Sequence, residues 1–196
     1  MEKFQSSKEL RLEFKAIRDG MTLEDRNAKS QRIVDGLLAL LESDFKGANI
    51  FLCFYPLGSE VDLRPLYKAL LEAGKDLYFP VSDIKNHELS FHNIRDLDKD
   101  FSIGCFNVKE PNKSLPELPA FDSNTIVITP GLIFDEKCNR IGYGAGFYDR
   151  FYTKHPEVVK IGVAFEEQMV LNLDIKEHDV PLDYIVTNDR LIKRGV

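Results

Sequence analysis

Three stretches of this chain are apolar on nearly every residue rather than on alternate ones: Ala48–Tyr55 (ANIFLCFY), Thr125–Thr129 (TIVIT) and Lys160–Phe165 (KIGVAF). A strand with one wet face alternates apolar and polar, whereas a strand covered on both faces does not. Helical patterns separate these runs. Ser7–Arg18 places Leu10, Phe14 and Ile17 at helical spacing, and Leu23 to about Leu41 carries Ile33, Leu37, Leu40 and Leu41 on one face after an N-cap at Thr22. Asp62–Ala73 reads as a helix that Gly74 ends, with Asp62 as its N-cap, and Phe147–Lys154 as another. Asp76–Val81 and Tyr184–Thr187 read as further strands, and Glu88–Asn93 alternates like an edge strand. Phe101–Asn124, rich in Pro, Asn and Gly, reads as a long surface connection. Strands alternating with helices predict an α/β fold: a mostly parallel sheet with helices on both faces. Ligands in such folds sit beyond the carboxyl ends of the strands. Tyr55–Glu60, Pro130 onward and Phe165–Gln168 occupy those places.

A length of 196 residues predicts a single domain, 1–196, with a sizeable core. The net charge of −6 argues against nucleic acid as a partner. Cys53, Cys105 and Cys138 are odd in number and far apart, which argues against a zinc knuckle or a disulfide framework and favours a reducing compartment. The amino-terminal segment, rich in Lys, Arg and Glu, reads as neither signal peptide nor membrane anchor. The expectation is a cytoplasmic protein, with no membrane partner, and a monomer.

Between two of the strands lies Arg140-Ile141-Gly142-Tyr143-Gly144-Ala145-Gly146-Phe147-Tyr148-Asp149-Arg150. Glycines at alternate positions let backbone approach a ligand closely. A glycine-rich turn opening a helix aims free N–H groups at an anion, most often a phosphate. The spacing is G-x-G-x-G, neither the dinucleotide fingerprint nor a P-loop. By itself it reads equally as a phosphate cradle and as a tight corner capped by aromatics. Charges on both sides, at Arg140, Asp149 and Arg150, favour a site.

Other constellations stay open on residue type alone. Lys8, Arg11, Lys15 and Arg18 share one helical face, either as a solvated stripe or as a phosphate clamp folded onto the glycine loop. Glu60 follows a strand and precedes a helix, where it either complements the helix dipole or accepts paired hydrogen bonds from an amino-heterocycle. Asp149 and Asp179 have the chemistry to share a Mg²⁺ with phosphates and water. Gln168 reads either as a ligand contact or as part of a helix start, His178 as a base or an exposed side chain, and Asp183 as a turn residue. His87, His92 and His155 have no acid or thiol at metal-ligand spacing, and no G-x-S-x-G or H-E-x-x-H occurs.

Taken together, these blocks resemble the 5-formyltetrahydrofolate cyclo-ligase, or methenyltetrahydrofolate synthetase, family. The matching segments are Lys8–Arg11, Glu60–Asp62, Pro130–Asp135, Arg140–Arg150, Ala164–Gln168 and Glu177–Asp183, in order over nearly the whole chain. The resemblance implies a fold like the sugar-phosphate isomerase and CoA-transferase superfold. It implies ATP- and Mg²⁺-dependent cyclisation of 5-formyltetrahydrofolate to 5,10-methenyltetrahydrofolate, with release of ADP and phosphate. By the same resemblance Lys8, Arg11 and Arg140 contact ATP phosphates, and Ile141, Gly142, Tyr143, Gly144, Ala145, Gly146, Phe147 and Tyr148 cradle them. Tyr55 and Glu60 hold the folate, with Tyr143 to Phe147 between the two ligands. Asp149 and Asp179 position Mg²⁺, and Arg140, Tyr148 and Asp149 act in catalysis. Two positions depart from relatives: Ala145 removes a basic side chain some of them carry, and Phe147 stands where Tyr is frequent. Fold analogy alone leaves an isomerase or transferase of the same superfold as the alternative, or a nucleotide- or folate-binding protein without turnover.

Overall fold

The computed structural model describes residues 6–105, 108–118 and 120–195. Its centre is a seven-stranded sheet. The strands in chain order are β1 (Ile50–Leu52), β2 (Asp76–Asp83), β3 (Glu88–Ile94), β6 (Thr125–Thr129), β9 (Val159–Val163), β11 (Tyr184–Val186) and β12 (Leu191–Lys193). Across the sheet the order is β12-β11-β9-β6-β1-β2-β3. The five central strands pair in parallel, and the two edges, β3 and β12, are antiparallel. β3 is the edge strand its alternation predicts, zipped to β2 from Leu77↔Ile94 to Asp83↔Glu88.

The central strands are apolar throughout because both faces are covered. Phe51, Ile126, Ile128 and Ile161 point into one core with helices α2 (Leu23–Asp44) and α3 (Arg64–Glu72). Leu52 and Val127 point into the other, with Phe151 and Tyr152 of α4 (Phe147–Lys154). Helix α1 (Ser7–Gly20) packs elsewhere, with Phe14 and Leu10 against Leu132, Ile133 and Ile141. Those three residues belong to or precede a small second sheet of β7 (Ile133–Asp135), β8 (Arg140–Ile141) and β10 (Met169–Val170), ordered β10-β7-β8. That sheet is absent from the sequence reading, because its strands are two or three residues long.

Local signals set most boundaries. Ser6 and Glu9 close a capping box on α1, and the Thr22 hydroxyl accepts the Asp25 amide at the start of α2. Gly74, at φ 73, ends the α3 turn in the left-handed region. Three expectations change. Asp62 is not the α3 N-cap: Pro65 in the first turn sets the start at Arg64, and Asp62 bonds the Arg64 amide and guanidinium. Ile17 is 39% exposed, because α1 turns only its Leu10–Phe14–Arg18 edge inward. Phe101–Asn124 is no bare connection. It holds a hairpin of β4 (Phe101–Ile103) and β5 (Lys109–Pro111), and His92 bridges to Glu117.

Strand order reverses between β1 and β6: the chain runs from β1 to β2 on one side, then returns to β6, β9 and β11 on the other. The segments leaving these two carboxyl ends splay apart and open a cleft.

Candidate active site

A cavity of about 840 Å³ lies in this cleft, within the usual range for a small-molecule pocket. Its walls are Tyr55 and Glu60 after β1, the glycine loop after β8, Arg11 of α1, the β4–β5 hairpin, and the 174–179 loop that carries Asp179. Segments far apart in sequence therefore meet because the switch point gathers the ends of β1 and β6.

The glycine loop runs from β8 into α4. Gly144 has φ 103 and Gly146, the α4 N-cap, has φ 67, conformations costly for any other residue. Arginines fill the space that side chains here would need. A β-carbon at Gly142 would stand 3.0 Å from Arg140 Nη1, and one at Gly144 would stand 3.4 Å from Arg11 Cζ. Arg11 also donates from Nε to the Gly142 carbonyl at 2.8 Å. Arg11 thus folds back onto the glycine loop, and the basic stripe divides. Lys8 is exposed and is not among the cavity residues, with Ser7 lining the wall at that turn. Lys15 pairs with Asp19.

Arg140 sits beneath the loop, 8% exposed. Its Nη2 donates to Asp149 Oδ1 at 3.1 Å, and its guanidinium lies 5.4 Å from the Tyr148 ring centre. Its Nε is buried without a partner among the described residues, an arrangement that costs stability unless something accepts it. Asp149 Oδ1 also receives the Val180 amide at 3.4 Å, so both of its bonds go to one oxygen. Asp179 accepts the Lys176 amide and lines the same cavity. Among the described residues no group of three His, Cys, Asp or Glu side chains stands together as a metal site. Asp149 and Asp179 both line the cavity, a donor set of hard oxygens whose chemistry fits a Mg²⁺ completed by other oxygen ligands.

On the opposite wall Glu60 is nearly enclosed, its side chain 7% exposed. The Tyr143 hydroxyl donates to one oxygen and the Leu57 amide to the other at 2.9 Å. Burial pushes the Glu60 carboxyl above the usual range, against the opposing pull of Tyr143, Arg18 and Leu57. Arg18, grouped in the sequence with a surface stripe, is buried here. It donates to Tyr143 at 2.8 Å and Ser59 at 3.0 Å, and stands 3.9 Å from Glu60. Burial and the Glu60 charge in turn raise the Tyr143 phenol. Tyr55 packs edge-on to Phe101 at 4.9 Å, with Lys109 Nζ 4.9 Å from its ring centre. Lys109 and Glu110, both cavity residues, were hidden inside the stretch read as a loop.

Gln168 does not face a ligand. It is 2% exposed, donates to the Gly131 and Leu132 carbonyls and accepts the Phe165 amide. It closes a 3₁₀ turn, Glu166–Gln168, against the β6–β7 connection. Gln168→Ala should therefore cost about 2–3 kcal/mol by orphaning buried backbone groups. A melt should show that loss while substrate KM stays at the wild-type value. His178 is exposed, and Asp183 anchors Lys160 and Arg194 rather than a bare turn.

Fold and site define an α/β protein with a glycine-rich, arginine-lined loop over a small-molecule cleft. The chain belongs to the 5-formyltetrahydrofolate cyclo-ligase family, whose model matches residues 3–188, and it is a ligase of that family. The 5-formyltetrahydrofolate cyclo-ligase of Haemophilus influenzae is 30% identical over 182 residues, covering 91% of this chain and 95% of that one. The enzyme of that name from Escherichia coli K12 is 31% identical over 148 residues, covering 72% and 78%. The solved structure of Aquifex aeolicus 5,10-methenyltetrahydrofolate synthetase superposes with a TM-score of 0.82 at 27% identity, covering 97% of this chain and 93% of that chain.

Proposed function

We propose that this protein uses ATP, with Mg²⁺, to close 5-formyltetrahydrofolate into 5,10-methenyltetrahydrofolate, releasing ADP and phosphate. The observation that carries this reading is Arg140: a buried arginine at the base of a glycine loop, lining the cavity and held by Asp149, with Arg11 across the same loop. Such a guanidinium offers a ligand phosphate a fixed charge. The residues before and after it fit the same anion, with Arg11 across the loop and the α4 amides at its end. Lys8, exposed outside the cavity, reaches a phosphate only at the cleft's rim.

The formamide oxygen of the substrate is a poor leaving group until phosphorylated. Transfer of the γ-phosphoryl to it breaks the bond to ADP and gives an iminium phosphate. N10 attacks the activated carbon and gives up its proton to solvent, and the carbon–oxygen bond breaks to free phosphate as the methenyl bridge forms. Such transfer requires positioning and charge neutralisation more than a protein nucleophile. Arg11, Arg140 and the amides from Ile141 to Tyr148 hold the triphosphate. Asp149 and Asp179 would hold a Mg²⁺, which would supply charge neutralisation at the phosphates. Tyr148, stacked on Arg140, fixes the guanidinium, so that Arg140, Tyr148 and Asp149 act as one unit. Glu60 and Tyr55 hold the folate, with Glu60 accepting from the pterin, and the segment Tyr143–Gly144–Ala145–Gly146–Phe147 divides the two ligands. We place residues 1–196 in one domain, acting as a monomer in the cytoplasm without nucleic-acid or membrane partners. Among the described residues no helix is long and apolar enough to cross a membrane.

The test is turnover. Purified protein given ATP, Mg²⁺ and 5-formyltetrahydrofolate should develop the near-ultraviolet absorbance of the methenyl product, and none without ATP. Folded protein that makes no product under these conditions would overturn the reading.

A further inference from the structure

Each of the three loop glycines faces an arginine, and the third is Arg150. A β-carbon at Gly146 would stand 3.1 Å from Arg150 Nη1, as one at Gly142 would meet Arg140 and one at Gly144 would meet Arg11. Gly142 and Gly146 thus leave space that Arg140 and Arg150 occupy, while Arg11 lies at ordinary contact distance over Gly144.

Arg150 lies in the first turn of α4 and lines the cavity. Its Nη2 donates to the Ala145 carbonyl and its Nε to the His87 carbonyl at 3.0 Å. His87, at the β2–β3 turn with φ 56, also sets its ring 5.8 Å from Phe147. Both acceptors are neutral backbone. Arg150 forms no salt bridge among the described residues, and no protein acceptor there bonds Nη1. Its nearest counterpart is Arg11, which likewise holds one loop carbonyl, forms no salt bridge among the described residues, and lines the cavity. Arg140 differs, since Asp149 pairs with it. The two unpaired arginines bracket the loop, Arg11 at its Gly142–Gly144 end and Arg150 at its Ala145–Gly146 end. A guanidinium pinned by carbonyls keeps its full charge and a fixed direction, which suits it to an anion.

We propose that Arg150 is a further anion-binding residue of this site, donating from Nη1 to the phosphate chain of the nucleotide while its other two bonds hold the loop shut. The inference rests on the proposed reading of the loop as the nucleotide site. Its recognition is of a polyanionic phosphate chain, so inorganic triphosphate is bound through the same contact.

The experiment is calorimetric titration of the full chain with ATP, inorganic triphosphate and 5-formyltetrahydrofolate, for wild type, Arg150→Ala and Arg150→Lys. Arg150→Ala should weaken ATP and triphosphate roughly tenfold and the folate less than about twofold, and Arg150→Lys should recover part of the loss. Arg150→Ala binding ATP as wild type does would overturn the inference and leave the nucleotide reading standing. Equal weakening of all three ligands, unrestored by lysine, would also overturn it, since that is the mark of a loop brace alone. Wild type binding neither ATP nor triphosphate would instead overturn the nucleotide reading beneath it.

Discussion

Arg140→Ala should lower turnover by roughly 100- to 1,000-fold and cost on the order of 3 kcal/mol of stability. The two losses have different origins. Turnover falls because the proposed phosphate site loses an arginine held by Asp149 at 3.1 Å and lying 5.4 and 6.0 Å from the ring centres of Tyr148 and Tyr152. Stability falls because Asp149, with only 18% of its side chain exposed, loses its cation. The double variant Arg140→Met with Asp149→Asn removes both charges together. It should recover most of the stability without recovering turnover, because apolar or neutral replacements of a buried pair are often tolerated. Urea unfolding and the near-ultraviolet product assay separate the two effects. Turnover of Arg140→Ala within about tenfold of wild type would remove Arg140 from the phosphate site.

The same contrast between local and distant contacts explains what the sequence made legible. Thr125–Thr129 is readable because burial on both faces leaves five apolar or β-branched residues in a row. Thr22 and Gly74 are readable because caps act within a few residues. β8 and β10, two residues each, carry no periodicity, and only their pairing to β7 across distant segments makes them strands. At the site, the glycine block was visible because close approach and left-handed backbone demand glycine itself. The basic stripe was visible as a stripe and no further. Spacing places Lys8, Arg11 and Arg18 on one helical face, yet tertiary contacts send Arg11 to the Gly142 carbonyl and bury Arg18 against Ser59 and Tyr143, while Lys8 stays in solvent. In the sequence Gln168 stays open between a ligand contact and part of a helix start, and the structure gives the second, with carbonyls of the β6–β7 connection taking its amide.

In Glu60→Gln, activity on the folate should fall and the pH dependence of stability should flatten. Glu60 is buried, and its carboxyl is raised above the ordinary value chiefly by that burial. In the unfolded chain it titrates at the ordinary glutamate value. Between the two values the folded state keeps the proton that the unfolded state has released. Stability is therefore fullest below the ordinary value and declines as pH rises through the raised one. Glutamine cannot titrate and should flatten that decline. Its amide, however, accepts only one of the Tyr143 and Leu57 donors and leaves buried Arg18 without its carboxylate, so the variant should melt below wild type while losing the pH dependence. Function should suffer, because a neutral amide replaces the charged acceptor for the pterin: kcat/KM for 5-formyltetrahydrofolate should fall roughly 100-fold while KM for ATP stays within about twofold. Melting curves across the acid to neutral range, with steady-state kinetics on both substrates, test the pair of claims. A variant that melts with the wild-type pH dependence would refute the burial argument. One that keeps folate kcat/KM near wild type would place the pterin away from Glu60, and Tyr143 would then be the residue on that wall to vary next, since its hydroxyl is the group that already holds the carboxylate.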